Sequence, residues 1–276
     1  GPMSIYVVKG LETVAFRCAG AAHGIEVDLT WQAAVPATDE PRHIRRQGET
    51  TILDAFRFVQ QADVKGRLRV DGRAIEATDW VGARDRSWGI RPVGNATSPQ
   101  RPFGQHAMWW CWIPLRFPDF SLMFVLEEEP DGHRTINHAI RIRPDGRIEQ
   151  LGWPEVEIQY AKGTRYPVRA RIGVKERGGR TLELDVTPLG PMPLGVGLGY
   201  GPEDDGWNHG RWMGEEWIQR VDHDLDAEAT RQRVAWTMID HAARATFDGQ
   251  TGYGIFEHLC IGRHDPSGFP DLMTMA

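Results

Sequence analysis

Between Gly82 and Ile113 the chain concentrates groups that could move protons and hold an apolar molecule. It reads GARDRSWGIR from Gly82 and, about one hairpin later, FGQHAMWWCWI from Phe103. Alternate side chains of an extended strand share a face. That places Asp85, Ser87 and Gly89 together, with Arg84, Arg86 and Trp88 opposite. It also places His106, Met108, Trp110 and Trp112 on one side, and Ala107, Trp109, Cys111 and Ile113 on the other. The second of these sets reads as ordinary core. The first is an imidazole at the end of an aromatic and thioether row, which is how an apolar cavity with one polar anchor would be built. Asp85, beside two arginines, would stay ionised in a structural salt bridge. In an apolar cavity it would instead retain its proton and could donate it. His106 could serve as its base, or sit at the wet end of a packed strand.

Other residues extend the candidate set. His138 lies on an alternating face with Ile136, Ile140 and Ile142, as a hydrogen-bonded core histidine or as an acid or base. Trp207, His209, Trp212, Glu215 and Trp217 gather around glycines, either as an acid/base loop with apolar contacts or as a loop anchored by its tryptophans. Glu257 and His258 point to opposite faces of their strand, so at most one can enter a given cavity. Asp85, His106 and His138 are thus the expected catalytic residues. Arg86, Trp88, Met108, Trp110, Trp112, Trp207, His209 and Trp212 are the expected substrate contacts.

Several chemistries lack their motifs. There is no P-loop, no G-x-S-x-G, no H-E-x-x-H and no paired C-x-x-C, and the glycines of 195–201 do not open a helix. Asp222-His223-Asp224 and His264-Asp265 are metal-like only as short runs in turns, so neither a metal nor a cofactor is expected. A net charge of −6 without a basic block argues against nucleic acid as partner. No apolar run approaches the ~18–20 residues of a membrane-spanning helix. Three widely spaced cysteines fit buried thiols in a reducing cytoplasm better than a disulfide framework. Gly1-Pro2 ahead of Met3 resembles a tag remnant. The expected partner is a hydrophobic small molecule, and a homodimer is left open.

The elements that must position these residues read as β nearly throughout. Ile5–Lys9, Leu11–Cys18 and Gly24–Ala33 are expected strands, followed by a polar loop over 35–48. Hairpins are expected about Asp71-Gly72, Pro130-Asp131-Gly132, Gly178-Gly179 and Asp248-Gly249. Only Asp226–Met238 reads as a helix, and 188–202 reads as an irregular crossing segment. Eleven tryptophans suit a large aromatic core or cavity, and 31 glycines suit tight turns between strands. The fold class is all-β, with antiparallel barrels or sandwiches. Pro114 and Pro118 interrupt the pattern, dividing the chain into domains 3–115 and 116–276. A loose echo between RDRSWGIRPVG and GWNHGRWMGEEW is compatible with two similar domains.

Gly82, Asp85, Trp88 and Gly89, with the aromatic strand that follows, resemble the lipocalin-like superfamily that includes the carotenoid 1,2-hydratases. The resemblance implies two consecutive lipocalin-like β-domains. It also implies cofactor-free hydration, cyclisation or isomerisation of hydrophobic, isoprenoid-like substrates, with Asp85 at the position of the family's proton donor. Arg86 stands where that family usually has histidine, and arginine does not shuttle protons near neutral pH. The expected function is therefore a lyase or isomerase working by acid/base chemistry. The alternative is a non-catalytic carrier that uses the same cavity.

Overall fold

The computed structural model describes residues 1–90, 107–199, 206–207, 211–235 and 237–276. They form two antiparallel sheets that follow one another in sequence. The first holds β1 (Met3–Lys9), β2 (Thr13–Gly20), β3 (Ile25–Ala33), β4 (Thr38–Asp39), β5 (His43–Gln47), β6 (Thr50–Val70) and β7 (Arg73–Ile90). Strands β1, β2, β3 and β6 lie in that order, and β4, β5 and β7 all pair with β6. The second holds β8 (Met108–Arg116), β9 (Ser121–Glu128), β10 (Arg134–Ile142), β11 (Ile148–Gln150), β12 (Glu155–Tyr160), β13 (Pro167–Lys175), β14 (Thr181–Pro193), β15 (Ile239–Phe247) and β16 (Gln250–Ile261). Its order is β11-β10-β9-β8-β16-β15-β14-β13-β12. The division expected between 115 and 116 falls within β8, both of whose partners, β9 and β16, lie in the second sheet.

Local chemistry explains the main turns. Asp71 (φ 49°) and Gly72 (φ 81°) join β6 to β7. Asp248 (φ 50°) and Gly249 (φ 76°) do the same for β15 and β16. Two left-handed residues in a row give the turn whose twist matches that of the strands, and Asp-Gly tolerates it. Strand β6 runs unbroken over Thr50–Val70 because Gly66 lets it bend instead of ending. With φ of 130°, a Cβ at Gly66 would lie 2.1 Å from the Asp28 carbonyl oxygen.

Other expectations are corrected. The polar 35–48 loop contains two short strands, β4 and β5, held by pairing with β6 rather than by their own propensity. Strand β14 runs through Pro188 and Pro191 to Pro193, with a register shift between Pro188 and Gly190 that accommodates the missing N–H groups. The helix is only Glu228–Val234 (α1), with one buried residue, Val234. Its apolar positions are too few to bury a longer stripe. Strand β12 was not among the expected strands, although Gly152 and Pro154 mark a turn just before its half-buried alternation.

The second sheet is apolar on both faces, with different partners. One face gathers Trp109, Cys111, Ile113, Phe124, Ile172, Leu184 and Phe256 into a single large core. A polar chain closes one side of that core. Glu128 Oε2 meets His264 Nε2 at 3.1 Å, and His264 Nδ1 meets Ser267 Oγ at 2.8 Å. Ser267 Oγ and Tyr160 Oη are 3.4 Å apart, and Tyr160 Oη and His258 Nε2 3.0 Å. Arg165 ties the C-terminal segment over this region, donating to the carbonyls of Gly262 (2.6 Å), Asp271 and Thr274. His258 is therefore a core residue, pushed down to about 3 by burial and so neutral.

The other face of the second sheet presents Met108, Trp110, Trp112, Met123, Val125, Ile136, Ile140 and Ile142 to Val35, Val59 and Ala83 of the first part of the chain. Trp110 and Trp112 are buried. At about 25 cal/mol per Å² over about 200 Å² each, their transfer contributes roughly 5 kcal/mol apiece. Polar bonds cross the same interface. Gln61 Nε2 donates to the Leu122 carbonyl at 3.1 Å, and Arg45 meets Glu127 at 2.7 Å.

Candidate functional site

Ionisable side chains collect where the two sheets meet. Their positions follow from strand alternation. Arg57 and Val59 of β6 pair with Ser87 and Asp85 of β7. All four therefore share the face that carries Val59 against the second sheet. Glu257 of β16 lies opposite Trp112 of β8 on one side and Asp240 of β15 on the other. Its neighbours two positions away, Ile255 and Leu259, pack into the inter-sheet core. Glu257 thus faces the first sheet and His258 the second core, as their alternation requires.

The carboxylates divide into two kinds. Glu40, in the connection from β4 to β5, has a side chain with no solvent exposure. It accepts from Trp112 Nε1 at 2.7 Å and lies 3.4 Å from Arg57 Nε and 3.5 Å from His43 Nε2. Burial alone would raise its carboxyl. The His43 and Trp112 donors and the Arg57 charge outweigh burial and hold it below its ordinary value. Asp85 is exposed and lies 3.2 Å from the same guanidinium. Arg57 also stands over the Trp110 ring, 5.8 Å from its centroid.

Glu257 and Asp240 are the second kind. Glu257 accepts from Trp110 Nε1 at 2.6 Å. Burial, and then the neighbouring Asp240 charge, push the Glu257 carboxyl up to about 8. Asp240 is raised too, first by burial and then by the charge of Asp85. Two carboxyls side by side in a poorly solvated site cannot both ionise cheaply, so the pair retains a proton near neutral pH. The indole N–H fixes one Glu257 oxygen in place.

His138 points into the same interface, on the face of Ile136 and Ile140. Burial lowers it, and Glu40 opposes that only in part, so the imidazole is neutral at pH 7. Asp85, His138, Met108, Trp110 and Trp112 are therefore brought to one interface. Trp110 and Trp112 meet it with their N–H groups bound to carboxylates and their rings almost fully covered.

Other expected residues lie elsewhere. Trp88 stacks on Phe56, with ring centroids 6.0 Å apart, on the opposite face of the β6–β7 ribbon, the face that Arg86 shares by alternation. Trp207 packs 5.3 Å from Trp217, and Trp212 is largely exposed. His106 and His209 lie outside the described residues. A groove of about 290 Å³ on the first sheet is lined by the cross-strand row Arg17, Asp28, Arg67 and Glu76, and holds none of the expected site residues.

Glu40, Arg57 and Asp240 were missed. Glu40 sat in a polar loop, and Arg57 looked like the polar alternate of a strand. Pairing Asp240 with Glu257 needs the β15–β16 register, which was readable from the Asp248-Gly249 turn by counting back from it. No group of three or more metal-ligating side chains occurs among the described residues. Among them, too, no helix is long and apolar enough to cross a membrane.

No curated protein matches the sequence. Among solved structures, the chain is similar to NE1406 of Nitrosomonas europaea, provisionally described as an AttH. Identity is 17% and the TM-score 0.51, over 89% of this chain and 64% of that one. It is also similar to CghA, at 12% identity and a TM-score of 0.46, over 91% of this chain and 65% of CghA. CghA crystallised with Sch210972 gives 11% identity and a TM-score of 0.44, over 90% and 64%. The chain spans less than two thirds of the length of each. The likeness to NE1406 concerns the fold, a lipocalin-like all-β architecture, and not the chemistry. A family model described as a family of unknown function (DUF8625) matches residues 1–270, and the chain belongs to that family.

Proposed function

We propose that the chain is a cofactor-independent lyase or isomerase, of hydratase or cyclase type. It would act by acid/base chemistry on a hydrophobic, isoprenoid-like molecule at the inter-sheet site. The observation that carries this reading is the Glu257–Asp240 pair, a proton-retaining carboxyl bonded to Trp110 at 2.6 Å. General acids work best with a pKa near the operating pH, and Glu257 meets that condition.

In the proposed reaction Glu257 gives its proton to a carbon–carbon double bond, leaving a carboxylate on the enzyme and a cation on the substrate. Loss of a neighbouring proton to Asp240 or to neutral His138 completes an isomerisation. Attack by a second double bond of the same molecule closes a ring and moves the cation, which then loses a proton to Asp240 or His138. Attack by water gives an oxonium ion, which loses its proton to the same base and leaves a hydrated product. Excluding or admitting that water selects the outcome. Asp85 is engaged by Arg57, so the donor role expected for it passes to Glu257. Asp85 and Glu40 supply negative charge toward the developing cation. Trp110 positions the acid.

The test is deuterium transfer. The protein is incubated in D2O with a panel of isoprenoid alkenes, and carbon-bound deuterium is read by mass spectrometry. Glu257→Gln should lower incorporation at least ~100-fold, in line with loss of a general acid. It should leave binding of the same alkenes unchanged. Incorporation at the wild-type rate in that variant would overturn the assignment. Binding without incorporation by the wild-type protein would make the chain a carrier.

A further inference from the structure

We propose that two copies of this chain associate through β1, forming one continuous sheet about a two-fold axis at Ile5. Strand β1 lies at an edge of the first sheet and, among the described residues, pairs only with β2. Ile5 is 73% exposed, and Met3, Tyr6, Val7 and Val8 are exposed as well. Soluble proteins usually guard such an edge with lysine, proline, a bulge or a covering element. The one charge in β1 is Lys9, at its far end and already 2.6 Å from Glu12. The one irregularity of the β1–β2 ladder falls between Val7 and Lys9, which leaves Met3–Val7 regular.

The exposed row continues a buried one. Met3, Ile5 and Val7 pair with Cys18, Phe16 and Val14, which pair in turn with Val27, Leu29 and Trp31. Val27, Leu29 and Trp31 belong to the apolar cluster with Val64 and Ala77. One apolar sheet face therefore runs out to the edge.

A second copy fits this edge in a specific register. In an antiparallel pair with Ile5 opposite Ile5, Met3 meets Val7 and Tyr6 meets Ser4. Lys9 falls at the end of this register, where Glu12 of its own chain already holds it. Such a contact uses the same patch on both subunits, as a two-fold dimer requires. At about 150–200 Å² for each large side chain, the exposed fractions of Met3, Ile5, Tyr6, Val7 and Val8 sum to roughly 500–600 Å² per copy. Edge pairing covers the part of this that faces the other strand, while the free backbone groups of Met3–Val7 supply the hydrogen bonds.

Mass measurement by light scattering across about 10–200 µM should show twice the 31.1 kDa chain. Ile5→Cys should give a covalent dimer on mild oxidation, and Tyr6→Cys should not, because Tyr6 lies off the axis. Ile5→Lys with Val7→Lys should weaken association at least tenfold with the far-ultraviolet circular dichroism unchanged. The reduced Ile5→Cys protein is a second folded reference, should the lysines disturb β1. A monomer throughout the concentration range would overturn the proposal. So would a dimer untouched by the lysines, or one in which Ile5→Cys fails to cross-link.

Discussion

Replacing Glu257 by glutamine should change how stability depends on pH. Burial and Asp240 raise the folded-state carboxyl from 4.5 to about 8, so the folded chain holds that proton more tightly than the unfolded chain does. The stabilisation linked to it is fully present below about pH 4.5 and is lost progressively as pH rises through 8. At about 1.4 kcal/mol per pH unit between those values, the loss has a ceiling of about 5 kcal/mol, shared with Asp240 through the coupling. Glutamine mimics the protonated acid and cannot ionise. The variant should match the wild type near pH 5 and exceed it by a few kcal/mol at pH 9. Urea unfolding at pH 5, 7 and 9 in about 0.15 M salt reads this directly. Parallel curves for the two proteins would refute the reasoning.

Burial of a neutral histidine predicts the opposite behaviour in acid. His241, pushed down to about 4 by burial, supports the fold above its ordinary 6.5 and loses that support as pH falls toward 4. It should cost the wild type about 2 kcal/mol between pH 7 and pH 5, and His241→Leu should abolish that loss in urea titrations. Glu40→Ala removes the acceptor of Trp112 Nε1 and a counterion of Arg57, and should cost about 3–5 kcal/mol, seen as a lower urea midpoint. Arg220 bonds Asp71 at 2.6 and 2.8 Å and tethers the segment before α1 to the β6–β7 turn. Arg220→Ala should leave the cooperative transition in place and speed proteinase K cleavage within residues 211–227.

What the sequence disclosed was governed by alternation and turn chemistry. Trp110 and Trp112 on one side of β8, with Trp109 and Cys111 on the other, follow from period two alone. So does the placement of Asp85 opposite Arg86 and Trp88. What stayed hidden depends on pairing at long range. Glu40 becomes a buried carboxylate only because β4 and β5 are drawn onto β6, and nothing in the polar run around it carries that information. Glu257 could be assigned to one of two faces, but which face met the first sheet required knowing that β16 pairs with β8, nearly 150 residues away in sequence. Asp85 stands in a crowded charged and aromatic stretch of sequence. The raised acid lies in a plainer stretch, where one strand register sets Asp240 beside Glu257.

The protonation of Glu257 is the centre of this account, and infrared difference spectroscopy reads it most directly. At pH 7 the wild type should show a protonated-carboxyl C=O band that disappears with a midpoint near 8. The band should be absent from Glu257→Gln and should shift to lower pH in Asp240→Asn. A Glu257 carboxyl fully ionised by pH 6, or a band that persists unchanged in Glu257→Gln, would contradict it.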